Sequence, residues 1–241
     1  MKMLLEFQKL ERAIFKKRPN RYIAQVDLKG SEETVHVHDP GRLKELLFED
    51  NPCIIKYAAS PTRKTNWDMI AAQKGDEYVL IHSGYHRKIA EALLSDPIWS
   101  PFGEVYPYKA EVKTGNSRLD FCLFPRADEK IWLEIKGCSL SENGVAMFPD
   151  APTIRGRRHL EHLIDLKVGG ERAAVIILIL SDADVFVPKK DTDPDFYETF
   201  YKALEMGVEI YPIKVTFDQS LKGLMYGGLI DIQSKDESIR V

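Results

Sequence analysis

SRLDFCLFPRADEKIWLEIK, residues 117–136, decides how the rest of the chain is read. Leu119, Phe121 and Leu123 alternate with polar neighbours before the turn at 125–130, and Ile131, Leu133 and Ile135 do so after it. A period of two marks half-buried antiparallel strands. Folding about Ala127 sets Leu119 against Ile135, Phe121 against Leu133 and Leu123 against Ile131, so that one face is wholly apolar. A one-residue slip would invert every side chain. The opposite face is therefore fixed too, and it pairs Arg118 with Lys136, Asp120 with Glu134, and Cys122 with Trp132.

Residues directly opposed on antiparallel strands have Cβ atoms roughly 4.5–5.5 Å apart, a separation at which the carboxylates of Asp120 and Glu134 repel. Positive charge is expected between them. Lys136 supplies part of it, two residues beyond Glu134 and on the same face. A hard divalent cation, Mg²⁺ or Mn²⁺, would supply the rest through oxygen ligands. An acid on one strand beside Glu-x-Lys on the next is what metal-dependent phosphodiester hydrolysis requires. The ion stabilises charge on the phosphate and acidifies a bound water, while the lysine orients that water or steadies developing charge. Asp120, Glu134 and Lys136 are the catalytic candidates, with Asp120 and Glu134 as metal ligands. Glu-x-Lys alone also describes a solvated strand face; the register of Asp120 favours the metal site.

The chain has 241 residues, is 44% hydrophobic and carries a formal net charge of −3. That length accommodates one large domain or two small ones. No apolar run approaches a membrane span, and MKMLLEFQKLER lacks the apolar core of a signal peptide. Cys53, Cys122 and Cys138 form no CxxC pair, so reduced thiols and a cytoplasmic location are expected. With a slightly acidic balance, any nucleic-acid surface must be local. Lys16, Lys17 and Arg18 in KKRPNR are the sharpest basic cluster, readable as a binding turn or as a solvated one.

The first 83 residues are mostly strands. Patterns at 4–16, 20–28 and 33–38 are separated by PNR and KGSEE turns, a short helix is expected over 39–47 with Asp39 as cap and Pro40 at its first position, and strands follow near 53–58, 67–73 and 78–82. Strands with a helix inserted after the third are the order of an OB-fold barrel; an SH3-like barrel is the alternative. Arg42, Arg63, Lys64 and Trp67 offer cation-plus-aromatic chemistry suited to single strands. His36 and His38, without evident further ligands nearby, read as ordinary surface or hydrogen-bonded histidines.

Residues 84–241 show longer alternating elements: a helix over 85–94 with Ile89, Ala90, Leu93 and Leu94 inward, a strand at 108–113, the hairpin, a loop with FPDAP, and a helix over 154–168 stopped by Gly169-Gly170. The run AAVIILIL at 173–180 reads as a strand covered on both faces. A helix opened by Asp193-Pro194 and a strand at 208–215 complete an α/β, or α+β, domain with a mixed sheet. Arg155, Arg157 and Arg158 crowd the start of the 154–168 helix, where the macrodipole disfavours cations. Arg155, His159 and His162 fall on one face, and substrate phosphates contacted by Arg155 and His159 would answer that cost; an Arg157–Glu161 pair is the bland alternative, and Arg118 is a further candidate for contacting nucleic acid.

HVHDPGRLKELL, EVKTGNSRLDF, LEIKG and FPDAPTIRGRRHLEHL together resemble the sugar fermentation stimulation proteins of bacteria and archaea, whereas HSGYHRKIAEALL departs from the segment associated with many bacterial members. The resemblance implies an N-terminal OB-fold over 1–83, a restriction-endonuclease-like domain over 84–241 and DNA, or RNA, as partner. It places the superfamily's D…ExK motif on Asp120, Glu134 and Lys136 and adds Glu91 on the preceding helix as a further metal ligand. Two functions compete: a Mg²⁺- or Mn²⁺-dependent nuclease, and a non-catalytic DNA-binding regulator of sugar (maltose) metabolism genes. Sugar-phosphate binding ranks below both for want of a glycine-rich phosphate loop. Oligomeric state stays open, a homodimer among the options.

Overall fold

The computed structural model describes residues 3–39, 41–115, 117–218, 220 and 222–235. Strand β1 (Met3–Glu6) is followed by β2 (Leu10–Asn20), β3 (Ile23–Leu28), β4 (Ser31–His36), β5 (Pro52–Tyr57), β6 (Trp67–Lys74) and β7 (Glu77–Leu80). Strands β2 to β7 form a six-stranded sheet in the order β4-β3-β2-β5-β6-β7, and an added β4–β6 pairing closes five of them into a barrel. Alternating inward residues fill it: Ala13 and Phe15 of β2, Ala24 and Val26 of β3, and Val35 of β4 are all buried. This is the OB-like barrel the strand order implies.

Two expectations fail here for backbone reasons. The single strand over 4–16 is broken at Lys9, whose φ of 58° lies in the left-handed region, and β1 leaves the barrel to pair with a strand of the second sheet. In place of the helix expected over 39–47, residues 41–47 form bends and turns. Leu43 has φ 49°, incompatible with a continuing right-handed helix, and its carbonyl accepts from the N–H groups of Leu46 and Leu47 at 3.0 and 2.7 Å. Asp39 accepts from Gly41 N–H at 2.7 Å instead of capping a helix, and Pro40 lies outside the described residues.

The second unit comprises α1 (His86–Leu94), β8 (Tyr108–Thr114), β9 (Ser117–Arg126), β10 (Glu129–Cys138), β11 (Ser141–Glu142), β12 (Val145–Phe148), α2 (Ile154–Val168), β13 (Arg172–Ile179), β14 (Val185–Pro188), α3 (Pro194–Glu205), β15 (Glu209–Phe217), β16 (Gly223–Leu229) and β17 (Asp231–Ile232). Its main sheet runs β1-β16-β15-β13-β10-β9-β8, with β10, β13 and β15 parallel and connected through α2 and α3. The mixed sheet is as expected. In β13, Ala174, Ile176 and Leu178 join the core on the α1 side, while Ala173, Val175, Ile177 and Ile179 join that beneath α2 and α3. Burial on both faces explains its unbroken apolar run. Around FPDAP the chain is more ordered than the expected loop, since β11, β12, β14 and β17 make a small sheet.

The hairpin pairs Leu123 with Ile131, Cys122 with Trp132 and Phe121 with Leu133, in the register derived from the apolar pattern. It departs from that pattern at Leu119, which packs with Cys122 and Trp132 instead of with Phe121 and Leu133. The β8–β9 ladder correspondingly skips Glu111 and Asp120, and Glu111 has φ 55°. The irregularity falls at the candidate acid.

Candidate active site

Beyond Phe121–Leu133 the backbones of β9 and β10 part, and a side chain takes over the ladder. Ile135 N–H donates to Asp120 Oδ2 at 2.7 Å. Burial and the neighbouring Glu134 carboxylate push the Asp120 carboxyl up to about 6. Asp120 lines a cavity of about 260 Å³ together with Ser83, His86, Arg87, Glu111 and Ile135.

Glu134 lies deeper, at 3% exposure. Its Oε1 accepts from Lys136 Nζ at 2.5 Å and from His159 Nδ1. Burial pushes its carboxyl up, yet the His159 and Lys136 contacts outweigh that and hold it below the usual value. Arg155 Nε donates to His159 Nε2 at 3.5 Å, which leaves the ring proton on Nδ1, facing the carboxylate. Glu134 Oε2, by contrast, is buried with no hydrogen-bond partner among the described residues. A buried carboxylate oxygen without a partner carries a large desolvation cost. Together with the Asp120 carboxylate it is a donor set that fits a hard divalent ion, whose remaining positions water and phosphate would take.

The expected residues distribute unevenly. Asp120, Glu134 and Lys136 come together. His159 turns inward onto Glu134, 8% exposed, so its position is that of a carboxylate-orienting partner and not an outward phosphate contact. Arg155 stays exposed beside it. Glu91 pairs with Arg87 at 3.0 Å one turn back on α1, and the carboxylate in the Asp120 cavity is that of Glu111. Arg118 pairs with Glu111 at 3.0 Å. Arg157 bonds Asp195 and lies 3.6 Å from Glu161, the bland alternative foreseen for it.

On the barrel, Lys16 pairs with Asp50 at 2.7 Å. Arg18 donates to the main-chain carbonyls of Gly41, Asp39 and Arg21 at 2.7, 2.8 and 2.5 Å, a latch on Asp39 and Gly41 and not an outward cation. Arg63 donates to both oxygens of Asp68. Lys17, Arg42 and Lys64 are exposed. His38 is hydrogen-bonded to Asp68 at 3.0 Å, as read for an ordinary histidine, although its surroundings prove richer than the sequence indicated. Glu111 escaped sequence reasoning because its place depends on the local break in the ladder, and the inward role of His159 because its partner Glu134 lies on a different element.

HVHDPGR and FPDAP, far apart in the chain, meet at a second cavity of about 360 Å³ lined by Asp39, Gly41, Ser83, His86, Gly137 and Asp150. His86 lines both cavities. A Cβ on Gly41 would stand 2.9 Å from the carboxylate oxygens of both Asp39 and Asp150, so glycine is what lets the two acids close around that loop.

Two family models match the chain: the SfsA N-terminal OB domain over residues 17–81 and the Sugar fermentation stimulation protein RE domain over residues 84–221. The chain is 43% identical over 221 residues to the sugar fermentation stimulation protein homolog of Thermosipho melanesiensis, covering 91% of this chain and 94% of that one. The homolog of Methanococcoides burtonii is 40% identical over 226 residues, covering 91% and 90%. Among solved structures, that of Pyrococcus furiosus SfsA in complex with Ca2+ superposes with a TM-score of 0.88 at 28% identity, covering 97% of this chain and all of that one.

Proposed function

The chain belongs to the sugar fermentation stimulation protein family, and on that premise we propose that it is a Mg²⁺- or Mn²⁺-dependent nuclease that binds DNA and hydrolyses its phosphodiester bonds. The observation that carries this reading is Glu134, whose Oε1 is held by Lys136 and His159 while Oε2 is buried without a partner among the described residues, beside the Asp120 carboxylate. The Ca²⁺ of the Pyrococcus furiosus relative is a hard cation that takes oxygen ligands, the same preference that two carboxylates express.

In this reading Asp120 and Glu134 hold the ion, which when bound places Lewis-acid charge against the scissile phosphate and lowers the pKa of a water. Lys136 is fixed by Glu134 and directs its remaining protons towards the attacking water or the phosphate oxygens. His159, donating through Nδ1, keeps Oε1 occupied so that Oε2 is presented. Arg155 and Lys17, both exposed, are cations available to the DNA backbone. The test is incubation with linear single- and double-stranded DNA and RNA in Mn²⁺, Mg²⁺ or chelator. Metal-dependent degradation lost in Asp120→Ala and Glu134→Gln is expected. Binding that survives chelation and both substitutions, with no product formed, would replace the nuclease by a DNA-binding regulator.

A further inference from the structure

A different group of metal-ligating side chains sits at the rim of the barrel and shares no residue with the carboxylate site. His38 Nε2 lies 3.0 Å from Asp68 Oδ1 and His82 Nε2 lies 4.0 Å from Asp68 Oδ2. The ligating atoms of the three residues fall within 4.8 Å of one another. They come from three separate segments: His38 just past β4, Asp68 on β6, and His82 where the chain leaves the barrel after β7. Asp68 and His82 are each 8% exposed.

His82 is the telling residue. Among the described residues its Nδ1 is buried with no hydrogen-bond partner, and Nε2 faces Asp68 from beyond hydrogen-bond length. The His38 ring stacks on it at 3.7 Å and Tyr85 covers it at 4.6 Å. A buried imidazole aimed at a carboxylate it does not bond, with a second imidazole alongside, matches what a first-row ion demands. Bonds of about 2.0–2.2 Å hold neighbouring ligand atoms roughly 3–4 Å apart. Two imidazoles with one carboxylate select the zinc class over Mg²⁺ or Ca²⁺.

We propose that His38, Asp68 and His82 bind a divalent transition metal of the zinc class, clipping β4 and β6 to the segment that leads into α1. Arg63 is its built-in competitor. The guanidinium donates to both Asp68 oxygens, one of them at 3.2 Å, from the surface turn between β5 and β6, and its positive charge opposes an incoming dication. Binding therefore requires Arg63 to yield an oxygen. Occupancy would also bear on the neighbouring cavity, because Ser83, next to His82, donates to the His38 carbonyl at 2.8 Å and lines the space around Asp120.

The test uses chelator-stripped full-length protein, Co²⁺ titration followed by visible absorption, and Zn²⁺ counted by mass spectrometry after desalting. Retention of about one equivalent per chain is expected, unchanged in Glu134→Gln, so that failure here is distinct from failure of the nuclease reading. His82→Ala and His38→Gln should each weaken binding by about ten-fold or more, and Arg63→Ala should tighten it by about ten-fold. His38 has a side chain 29% exposed and tolerates replacement better than His82, so His38→Gln, with Arg63→Ala, carries the test if His82→Ala fails to fold. No cobalt band with no retained zinc, or binding indifferent to both His38→Gln and Arg63→Ala, overturns the proposal.

Discussion

Asp120 Oδ2 accepts the main-chain N–H of Ile135 at 2.7 Å, at the step where β9 and β10 cease to pair through their backbones. A side chain thus completes the ladder that positions the Glu-x-Lys strand. The same carboxylate is half-buried beside Glu134 and lines the cavity, so its structural and its proposed chemical duties pull on one group.

That tension predicts a stability profile for the protein in chelator. The Asp120 carboxyl rises from 3.8 to about 6 through burial and the Glu134 charge, so the folded state prefers its protonated form. Its contribution is fully present below the unfolded value and is lost as pH rises through the folded one. By linkage that loss is at most about 3 kcal/mol above pH 7. Asp120→Asn keeps an acceptor for Ile135 N–H without the charge. It should raise the melting temperature at pH 7–8 by several degrees, at about 2–4 °C per kcal/mol, with the gain vanishing below about pH 4, while abolishing cleavage. Thermal melts across pH decide; an Asn variant less stable than wild type at pH 8 would refute the account.

His159→Ala removes a donor from a buried carboxylate and should cost about 1–3 kcal/mol at neutral pH. His159→Gln, whose amide can still donate, should recover much of this. Glu134 is held below its usual value despite burial, by His159 and Lys136, so its stabilising contribution is present above the unfolded value and lost as pH falls through the folded one. Without His159 the acid limb of unfolding should begin at higher pH. Equal denaturant midpoints for the Ala and Gln variants would show that the ring only fills space.

Much of this was legible in the sequence wherever one face of an element is buried. The alternation through Phe121 and Leu123 and through Ile131 and Leu133 set the hairpin register, and AAVIILIL declared a strand covered on both sides. Signals failed where geometry is non-local or very short. Strands β11 and β17, of two residues each, are too brief to show a period. The departure of β1 hangs on one left-handed residue, Lys9. Partners such as Asp68 for Arg63 and His38, or Glu134 for His159, lie on different elements, and no spacing rule connects them.

Gly137 follows the Glu-x-Lys lysine for a reason of space. A Cβ there would collide with His86 Cε1 and stand 2.7 Å from Nε2, and His86 has its pKa lowered to about 4 by burial. Gly137→Ala should destabilise by about 1–3 kcal/mol through overpacking. In a double-mutant cycle with His86→Ala the two costs should couple, the second substitution relieving much of the first. Strict additivity would mean that strain at Gly137 lies elsewhere.

Lys17 and Arg18 are adjacent in the basic turn yet are predicted to behave oppositely. Arg18 donates to the carbonyls of Arg21, Asp39, Gly41 and Arg42, a fan that lysine cannot reproduce. Arg18→Lys should therefore lower stability by about 1–3 kcal/mol by releasing the carbonyls of Asp39, Gly41 and Arg42, with any change in DNA affinity tracking that loss. Lys17 is exposed and its replacement by Ala should leave stability within about 0.5 kcal/mol. If the turn meets DNA, Lys17→Ala weakens binding alike for all sequences and reduces the slope of log affinity against log salt by about 1. Fluorescence anisotropy over a salt series measures this directly. An unchanged slope for Lys17→Ala removes the basic turn from the DNA surface and leaves Arg155, Arg42 and Lys64 as exposed cations to test next.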